Sequence, residues 1–207
     1  MQNSTGTKER LLEAAVSVID EEGVKGIRIR DIASAAGVRE PSVYHFFGSR
    51  EGLIEAALVS RFASEQHEMF QKFGEGLVGC RTQEAFIQLV KDLLEASYDV
   101  SRAHFRSMRI DVLGSAQSRP GLAAAVNESL QGSFEDFNRY VESAQIRGWI
   151  DPDLQGVTFA AWISGVVLGR IYLEMNPDAF DDAAWRKMTT DAVMLALGYV
   201  NDKPIWS

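Results

Sequence analysis

The chain of 207 residues contains little of what marks a secreted or disulfide-bonded protein. Its one cysteine, Cys80, excludes an intrachain disulfide and favours a reducing compartment. The segment at its start, MQNSTGTKER, is polar, so we expect no secretory signal. A content of 46% hydrophobic and 24% charged residues is ordinary for a globular protein. We therefore expect a cytoplasmic protein.

The chain also lacks a long uninterrupted apolar run. Residues 157–173 are the most apolar segment, but Thr158, Ser164 and Arg170 interrupt it. The segment is shorter than the roughly 18 residues expected of a membrane span. The sequence therefore predicts a buried helix here and no contact with a membrane.

Motifs of catalysis and metal binding are missing as well. The chain has no P-loop, no G-x-G-x-x-G and no H-E-x-x-H, and His45, His67 and His104 lack the spacing of a metal pair. Glu65, His67 and Glu68 would diverge on a helix, because residues one or two apart do not share a face. We therefore expect no enzyme activity, no cofactor and no metal site.

Residues 28–53, RIRDIASAAGVREPSVYHFFGSREGL, carry the pattern of two short helices joined by a tight turn. Gly37 can take the positive φ needed between two steeply crossing helices, because glycine has no Cβ. Pro41 suits the first turn of the second helix, where its missing N–H is not needed. Val43 and Phe47, at i and i+4, form the predicted buried side of that helix. This is the layout of a DNA-binding helix-turn-helix.

The net charge of −8 argues against a nucleic-acid binder, for which a basic surface is expected. Between Lys25 and Arg50, however, five basic residues stand against two acidic ones, a local balance of +3. Charges further away than the Debye length of about 8 Å are largely screened at physiological ionic strength. The local surface therefore decides docking, and the acidic remainder of the chain discourages nonspecific binding.

Helical periodicity continues through the rest of the chain, and strand signals are nearly absent. Helices are predicted at residues 8–21, 28–35, 51–72, 82–100, 102–115, 119–147, 153–175 and 181–200, besides the one that begins near Pro41. Ser49 is expected to cap one of them and Thr82 to open another. The glycine-rich residues 74–79, GEGLVG, are the best candidate for a boundary. The predicted fold class is therefore all-α, with about nine helices.

Residues 8–58 resemble the N-terminal domain of the tetracycline-repressor (TetR/AcrR) family of transcriptional regulators. The resemblance covers residues 8–58: a first helix ending near Gly23, then IRDIASAAGV, PSVYHFF and SREGL, in order and at the family's spacing. It implies a helix-turn-helix DNA-binding domain of three helices at residues 1–53. It further implies a larger helical effector-binding and dimerisation domain at residues 54–207, where the similarity is one of architecture alone.

The resemblance implies that the second helix of the motif is the recognition helix. The implied DNA-binding residues are Arg28, Arg30, Arg39, Glu40, Pro41, Ser42, Tyr44, His45 and Arg50. Arg30 and Arg39 are the candidates to read guanine, since the guanidinium fork matches O6 and N7. Tyr44 and Arg50 suit phosphate. Glu40 could accept a hydrogen bond from cytosine, or it could simply stabilise a helix N-terminus.

Two positions depart from the family pattern. Arg28 stands where threonine is common, so the usual hydroxyl cap and phosphate contact are lost, although arginine can contact phosphate itself. Phe46 replaces a polar His or Tyr, which removes one expected backbone contact. The alternative for the whole segment is a packing unit of three helices that binds protein instead of DNA.

A helix-turn-helix regulator needs a second copy to place two recognition helices about 34–36 Å apart. The last two predicted helices carry stripes of small and apolar residues, which predict a dimer interface. Such stripes could also pack within one subunit. The residues of the predicted interface are Ala161, Gly165, Gly169, Tyr172, Met188, Ala192, Leu195, Ala196 and Tyr199.

Apolar residues of the middle helices are candidates for the lining of an effector pocket, although each of them is more simply explained as a core residue. These candidates are Phe86, Leu93, Tyr98, Phe105, Met108, Phe134, Phe137 and Trp162. Polar candidates to orient a ligand are His104, Arg109, Asp111 and Asn138.

Together these features predict a homodimeric, sequence-specific DNA-binding transcriptional regulator. We expect a repressor that a small, largely apolar effector releases from a palindromic operator, because the effector binds the DNA-incompetent conformation more tightly. Two alternatives stay open. One is an activator or co-repressed regulator that needs its ligand or a protein partner in order to bind DNA. The other is a helical binding protein or an enzyme in which the DNA-binding motif is vestigial.

Overall fold

The computed structural model describes the backbone of residues 2–200 and 202–205, and the side chains of all of these except residues 2–5 and 64–66. Within them the chain is almost wholly helical, as the sequence predicts. The α-helices are α1 Gln2–Glu22, α2 Ile29–Ala35, α3 Glu40–Phe47, α4 Arg50–Gly79, α5 Gln83–Ser97, α6 Ala103–Ala116, α7 Pro120–Ile146, α8 Gly156–Gly169, α9 Ile171–Met175 and α10 Asp182–Ala196. The strands β1 Tyr199–Val200 and β2 Lys203–Pro204 pair antiparallel. If α8 and α9 are taken as one interrupted helix, the described residues hold the nine expected helices.

The chain divides into two compact units. The N-terminal unit comprises Met1–Glu65 and Val112–Ser129, and the C-terminal unit comprises Gln66–Asp111 and Leu130–Ser207. Helices α4, α6 and α7 therefore contribute residues to both units. The functional boundary after residue 53 stays a prediction.

The core of the N-terminal unit is built on one face of α1. Leu11, Ala15 and Ile19 recur at intervals of four residues and are buried, as their helical spacing predicts. Helix α1 packs on α2, and α2 packs on α3, where Ile32 and Val43 are fully buried. The guanidinium Nε of Arg10 donates to the Ala36 carbonyl at 3.1 Å, so α1 also holds the end of α2.

The core of the C-terminal unit is aromatic. Phe137 lies at its centre, with ring centroids 4.5 Å from Phe70, 5.1 Å from Phe73 and 6.2 Å from Phe159. Phe86, which is fully buried, packs edge-on against Phe73 in the same cluster. Tilted and edge-to-face pairs of this kind add to the free energy gained by burying the rings.

Helix α4 is longer than the sequence predicts. Residues 74–79, which we expected to form a boundary, continue the helix to Gly79. The reason is close packing: a Cβ on Gly74 would overlap the Tyr140 ring, and one on Gly76 would overlap Leu89. Leu77 between them is buried. The glycines therefore permit a close approach inside the C-terminal unit and do not end the helix.

The predicted helix at residues 153–175 begins at Gly156 and is interrupted at Arg170, which separates α8 from α9. The prediction of a buried helix is also wrong, since only 28% of an 18-residue window in Gly156–Met175 is buried. With 20 residues and a mean hydropathy of 1.5, Gly156–Met175 is long and apolar enough to cross a membrane by length and composition alone. Core helices of other proteins pass the same test. The segment therefore carries apolar side chains that the chain itself leaves exposed, among them Trp162, Tyr172 and Met175.

Candidate nucleic-acid interface

A tight turn fixes the angle between α2 and α3. Gly37 has a φ of +68°, in the left-handed region that glycine was predicted to supply. The Val38 amide donates to the Ala33 carbonyl at 2.9 Å, and the Gly37 amide donates to the Ser34 carbonyl at 3.0 Å. This pair of bonds is a Schellman motif, which satisfies carbonyls at the end of α2 that would otherwise lack partners.

Helix α3, the predicted recognition helix, begins directly after this turn. Arg39 occupies its N-cap with extended backbone, and Glu40 and Pro41 form its first turn. The Glu40 carboxylate therefore lies at the positive end of the helix dipole, where it stabilises the helix. Val43 is buried beneath α3, while Tyr44 is 49% exposed on the outer side. The predicted division of α3 into a buried and an outer face is thus present, although Phe47 is only half-buried.

Five of the predicted DNA-binding residues line one open groove on the outer surface of α2 and α3. The groove is lined by Arg30, Ala33, Ser34, Val38, Arg39, Glu40, Pro41 and Tyr44. The Arg30 side chain is 85% exposed, and its Nε lies 3.6 Å from the Asp31 carboxylate. An exposed arginine on each helix, separated by small residues, leaves two guanidinium groups beside one concave surface. Such a surface can hold a phosphodiester backbone or the edge of a base.

The remaining predicted contacts lie around this groove. Arg28 is the exposed N-cap of α2, and no side-chain capping hydrogen bond forms there, as expected where arginine replaces a hydroxyl residue. His45 is exposed on α3, with its ring 4.9 Å from the half-buried ring of Phe46. Ser42 is half-buried, and its amide donates to the Arg39 carbonyl. None of these placements opposes a role in DNA binding, which stays a prediction for each residue.

Arg50 differs from the other predicted contacts because its side chain is bonded within the protein. It is the first residue of α4, which Ser49 caps as predicted by accepting from the Gly52 amide at 2.9 Å. The Arg50 Nε donates to the Ile27 carbonyl at 3.0 Å, and a terminal nitrogen reaches the Val24 carbonyl at 3.5 Å. The sequence held no signal for these bonds, because they join residues more than twenty positions apart.

Most residues of the predicted effector pocket are packed as core of the C-terminal unit. Phe86, Tyr98, Met108 and Phe137 are buried. Leu93, Phe105 and Phe134 are half-buried. Trp162 does not fit the prediction of an inner pocket wall, because it is 40% exposed and touches the cluster from outside through Phe159. Their use by an effector stays a prediction.

Most residues of the predicted dimer interface are exposed, but Gly169 and Ala196 are half-buried, Ala196 packs against the core, and Tyr199 is buried. Tyr172 and Met188 are 68% and 72% exposed, and Leu195 is exposed as well. A Cβ on Gly165 or Gly169 would meet nothing within 4 Å, so this face of α8 is open. These residues lie on α8, α9 and α10, and with Ala161, Trp162, Met175 and Ala192 they form what we name the open apolar face.

The assignment of Tyr199 to the dimer interface is wrong. It is almost fully buried, because α10 ends at Ala196 and the chain turns inward through Gly198, whose φ is +91°. The Tyr199 hydroxyl donates to the Trp149 carbonyl and accepts from the Gln83 side chain at 3.0 Å. Burial raises the pKa of this phenol. Tyr199 is therefore a core residue of the C-terminal unit.

Two buried arginines, Arg106 and Arg170, pair with carboxylates of α9 and α10. Arg106 donates through Nε to Glu174 at 2.7 Å, and through its terminal nitrogens to the carbonyls of Ser97 at 2.7 Å and Asp99 at 3.0 Å. Arg170, at the break between α8 and α9, lies 3.7 Å from Glu174 and 2.6 Å from Asp182. A hydrogen bond from Arg186, followed by the interaction with Arg170, lowers the pKa of Asp182. Sequence reasoning missed this network, although an Arg–Glu pair at i and i+4 in an apolar segment was a readable signal.

Among the polar residues predicted to orient a ligand in the C-terminal unit, some are buried and some are exposed. Arg109 is buried, with its guanidinium 5.7 Å from the Phe105 ring centre, whereas His104 and Asp111 are exposed. Asn138 donates to Glu142 one helical turn further on. Among the described residues, no group of three or more His, Cys, Asp or Glu side chains could hold a metal ion.

Comparison with known proteins identifies the N-terminal segment. Residues 11–57 match the family model described as bacterial regulatory proteins, tetR family. These residues include α2, α3 and the turn between them, together with the groove residues. The match therefore falls on the part of the chain where the sequence resemblance was strongest.

Two curated relatives are regulators. The probable HTH-type transcriptional regulator YttP of Bacillus subtilis (strain 168) is 30% identical over 108 residues, which cover 51% of this chain and 52% of the relative. The HTH-type transcriptional regulator UidR of Escherichia coli (strain K12) is 22% identical over 148 residues, covering 72% of this chain and 71% of the relative. The chain thus spans about half of the length of the B. subtilis relative in their alignment.

A solved structure extends the similarity of fold to nearly the whole chain. Thermus thermophilus FadR, a TetR-family transcriptional repressor in complex with lauroyl-CoA, superimposes with a TM-score of 0.66. The two chains are 14% identical, and the match covers 97% of this chain and 99% of that one. At this identity the likeness shows a shared fold.

Proposed function

Because residues 11–57 match the tetR family of bacterial regulatory proteins, we propose that the chain is a homodimeric repressor of that family, which binds a palindromic operator and leaves it when a small effector binds. The observation that carries the proposal is the open groove, which brings Arg30 of α2 beside Arg39 and Tyr44 of α3. An exposed guanidinium pair in an otherwise acidic chain suits a polyanion.

In the proposed complex α3 lies in the major groove. Arg39 and Arg30 donate to guanine O6 and N7, while Tyr44 and Arg28 contact phosphate. Glu40, Pro41, Ser42 and His45 stand at the same surface and contribute shape or single hydrogen bonds. One copy would cover one half-site and bind weakly, so two copies are needed, with recognition helices about one DNA turn apart.

The open apolar face supports the homodimer. Exposed apolar patches of this kind mark protein interfaces, because a monomer gains by removing such a surface from water. The open positions at Gly165 and Gly169 let a helix of the second copy approach α8 closely. We propose that α8 and α10 of two copies form a bundle of four helices.

The aromatic core of the C-terminal unit supports an apolar effector. Its rings, centred on Phe137, offer the lining that apolar ligands prefer. The structure of T. thermophilus FadR, with the same fold, contains lauroyl-CoA, so an acyl chain is our proposed effector class. The effector releases DNA by binding better to a conformation of the dimer in which the two recognition helices no longer match the half-sites.

Binding to DNA flanking the protein's own gene tests the proposal. We expect a specific complex whose affinity Arg39→Ala lowers about 5- to 150-fold, the equivalent of about 1–3 kcal/mol for a bidentate contact. Arg139→Ala is the matched control, since Arg139 is an exposed arginine of α7 paired with Asp136. Fluorescence anisotropy with labelled duplexes measures both. If the wild-type dimer shows no preference over unrelated DNA, the proposal is wrong.

A second titration tests the effector class. Lauroyl-CoA should lower operator affinity at concentrations where free coenzyme A has no effect. If lauroyl-CoA raises the affinity instead, the protein is a ligand-dependent DNA binder. Unchanged affinity would exclude this acyl-CoA as effector, and turnover of the compound would favour the enzyme alternative.

A further inference from the structure

The side chain of Arg50 spans two elements of the N-terminal unit. It stands at the start of α4, and its guanidinium donates to the carbonyls of Ile27 and Val24, at 3.0 and 3.5 Å. These carbonyls belong to the one-turn helix Val24–Gly26 and to the residue after it. Ile27 is buried, and extended backbone at Ile27 and Arg28 leads from there directly into α2.

The charge of Arg50 is partly neutralised where it stands. One terminal nitrogen lies 3.4 Å from the Glu51 carboxylate, and the side chain is 39% exposed. A phosphate contact would have to replace these bonds or share the guanidinium with them. Arg28 and Arg39, in contrast, are exposed at the N-caps of α2 and α3. The structure thus separates arginines directed at solvent from one that is bonded to the protein's own backbone.

We propose that Arg50 is a positioning residue of the DNA interface. By donating to the Ile27 and Val24 carbonyls it holds the segment that leads into α2, and it thereby sets where Arg28 and Arg30 stand relative to α4. This proposal rests on the proposed function, since it assigns a role at the same interface. It differs from the phosphate contact that the sequence predicts for Arg50.

Arginine suits this role better than lysine does. Its planar fork offers several donors in fixed directions, so one side chain can bond two carbonyls simultaneously. A lysine ammonium is a point charge that would serve a phosphate equally well but cannot reproduce the fork. Substitution by lysine therefore separates the two roles, because it keeps the charge and removes the geometry.

Amide hydrogen exchange without DNA tests the bonds directly. In Arg50→Lys and Arg50→Ala we expect the Ile27 amide, which donates to the Val24 carbonyl, to exchange at least about tenfold faster than in the wild type. The Ala36 amide at the other end of α2 should keep its protection, which distinguishes local release from loss of the fold. If the Ile27 amide is unaffected in both variants, Arg50 does not hold the segment and the proposal is wrong.

Operator binding at several salt concentrations tests the consequence. A positioning role predicts that Arg50→Lys and Arg50→Ala both lower the affinity about tenfold, with the slope of log affinity against log salt unchanged. A phosphate contact predicts that Arg50→Lys binds as the wild type does, while Arg50→Ala reduces that slope by about 0.9. The second pattern would overturn the proposal.

Arg28→Ala is the matched control for both readouts. Its exposed side chain suits phosphate, so this variant should reduce the salt slope by about 0.9 and leave the exchange of the Ile27 amide unchanged. If the wild type fails to bind any operator, the proposed function is wrong, and hydrogen exchange still decides whether Arg50 holds the segment.

Discussion

The two units of this protein differ in the side chains that their proposed binding surfaces expose. In the N-terminal unit Arg28, Arg30 and Arg39, which we propose contact DNA, are exposed, and Arg30 and Arg39 line the groove. In the C-terminal unit Arg106, Arg109 and Arg170 are buried, while apolar side chains such as Tyr172 and Met188 are exposed. A surface that binds a polyanion keeps its cations hydrated and accessible, whereas a surface that binds its own copy presents apolar area. The exposed side chains of each unit are therefore what supports its proposed partner, DNA for the N-terminal unit and a second copy for the C-terminal unit.

Placing a charge on the open apolar face should have the largest effect. Gly165→Glu adds a carboxylate where a dimer would bury it, so we expect monomers at micromolar concentration. Operator affinity should fall about 10²- to 10⁴-fold, because the second half-site is no longer bound within the same complex. Sedimentation equilibrium and anisotropy measure the two effects.

Gly132→Glu is the matched control for this substitution. Gly132 is an exposed glycine within α7 with nothing within 4 Å of an added Cβ, as is Gly165 within α8. Both substitutions raise helix propensity, so neither should unfold the chain. If Gly165→Glu stays dimeric, dimerisation does not explain why the C-terminal unit exposes apolar side chains.

The buried arginines can be tested through the carboxylate they share. Glu174→Ala removes the carboxylate that accepts from the buried Arg106, which keeps only neutral carbonyl acceptors at Ser97 and Asp99, while Arg170 keeps Asp182. We expect the free energy of unfolding to fall by about 3–5 kcal/mol. Asp191→Ala, which breaks the exposed pair with Lys187, should cost less than about 0.5 kcal/mol. Urea unfolding at one fixed protein concentration compares them, and similar losses would mean that burial does not matter here.

The turn at Gly37 in the N-terminal unit should lose stability when its residue cannot easily adopt a positive φ. Gly37→Ala places a side chain on a residue with a φ of +68° and should lower the free energy of unfolding by about 1–2 kcal/mol. An added Cβ would meet nothing within 4 Å there, so the loss would come from the backbone alone. Gly165→Ala, in an open helical position, should be neutral or stabilising. Thermal unfolding of the two variants separates these effects, and equal midpoints would contradict them.

Alkaline pH should destabilise the C-terminal unit through one buried phenol. Burial raises the pKa of the Tyr98 phenol to about 12. Because this pKa lies above the unfolded value of about 10, the stability gained by burying the neutral phenol is present below pH 10 and is lost as pH rises towards 12. In Tyr98→Phe the urea midpoint should depend less on pH in this range. Tyr172→Phe, at an exposed position, should behave as the wild type; no difference between the variants would contradict the prediction.

Sequence reasoning succeeded in the N-terminal unit because its signals are local. The turn at Gly37 and the cap at Ser49 are set by residues a few positions apart, and the structure confirms both. In the C-terminal unit the equally local cap at Thr82 is confirmed as well, since its side chain accepts from the Ala85 amide at the start of α5. The groove itself was not predicted, but it lies on the outer surface of two helices that were.

The same reasoning failed where distant residues decide the structure. Tyr199 continues the apolar periodicity of α10, yet the chain turns inward and buries it beside Trp149. The helix that hydropathy alone extends is interrupted at Arg170, whose guanidinium lies 2.6 Å from Asp182, about twelve positions further along the chain. The bonds of Arg50 to the Val24 and Ile27 carbonyls also depend on tertiary packing. In each case the deciding contact is absent from the local sequence.

The glycines of α4 have a consequence for how the chain folds. Gly74 and Gly76 each lower the intrinsic stability of a helix by about 1 kcal/mol relative to alanine. That weakness is offset by packing on Leu89 and Tyr140, which lie further along the chain. During synthesis on the ribosome the last turns of α4 should therefore stay frayed until residue 140 has emerged. We expect α4 to begin as a short helix and to reach its full 30 residues only when α7 docks on it.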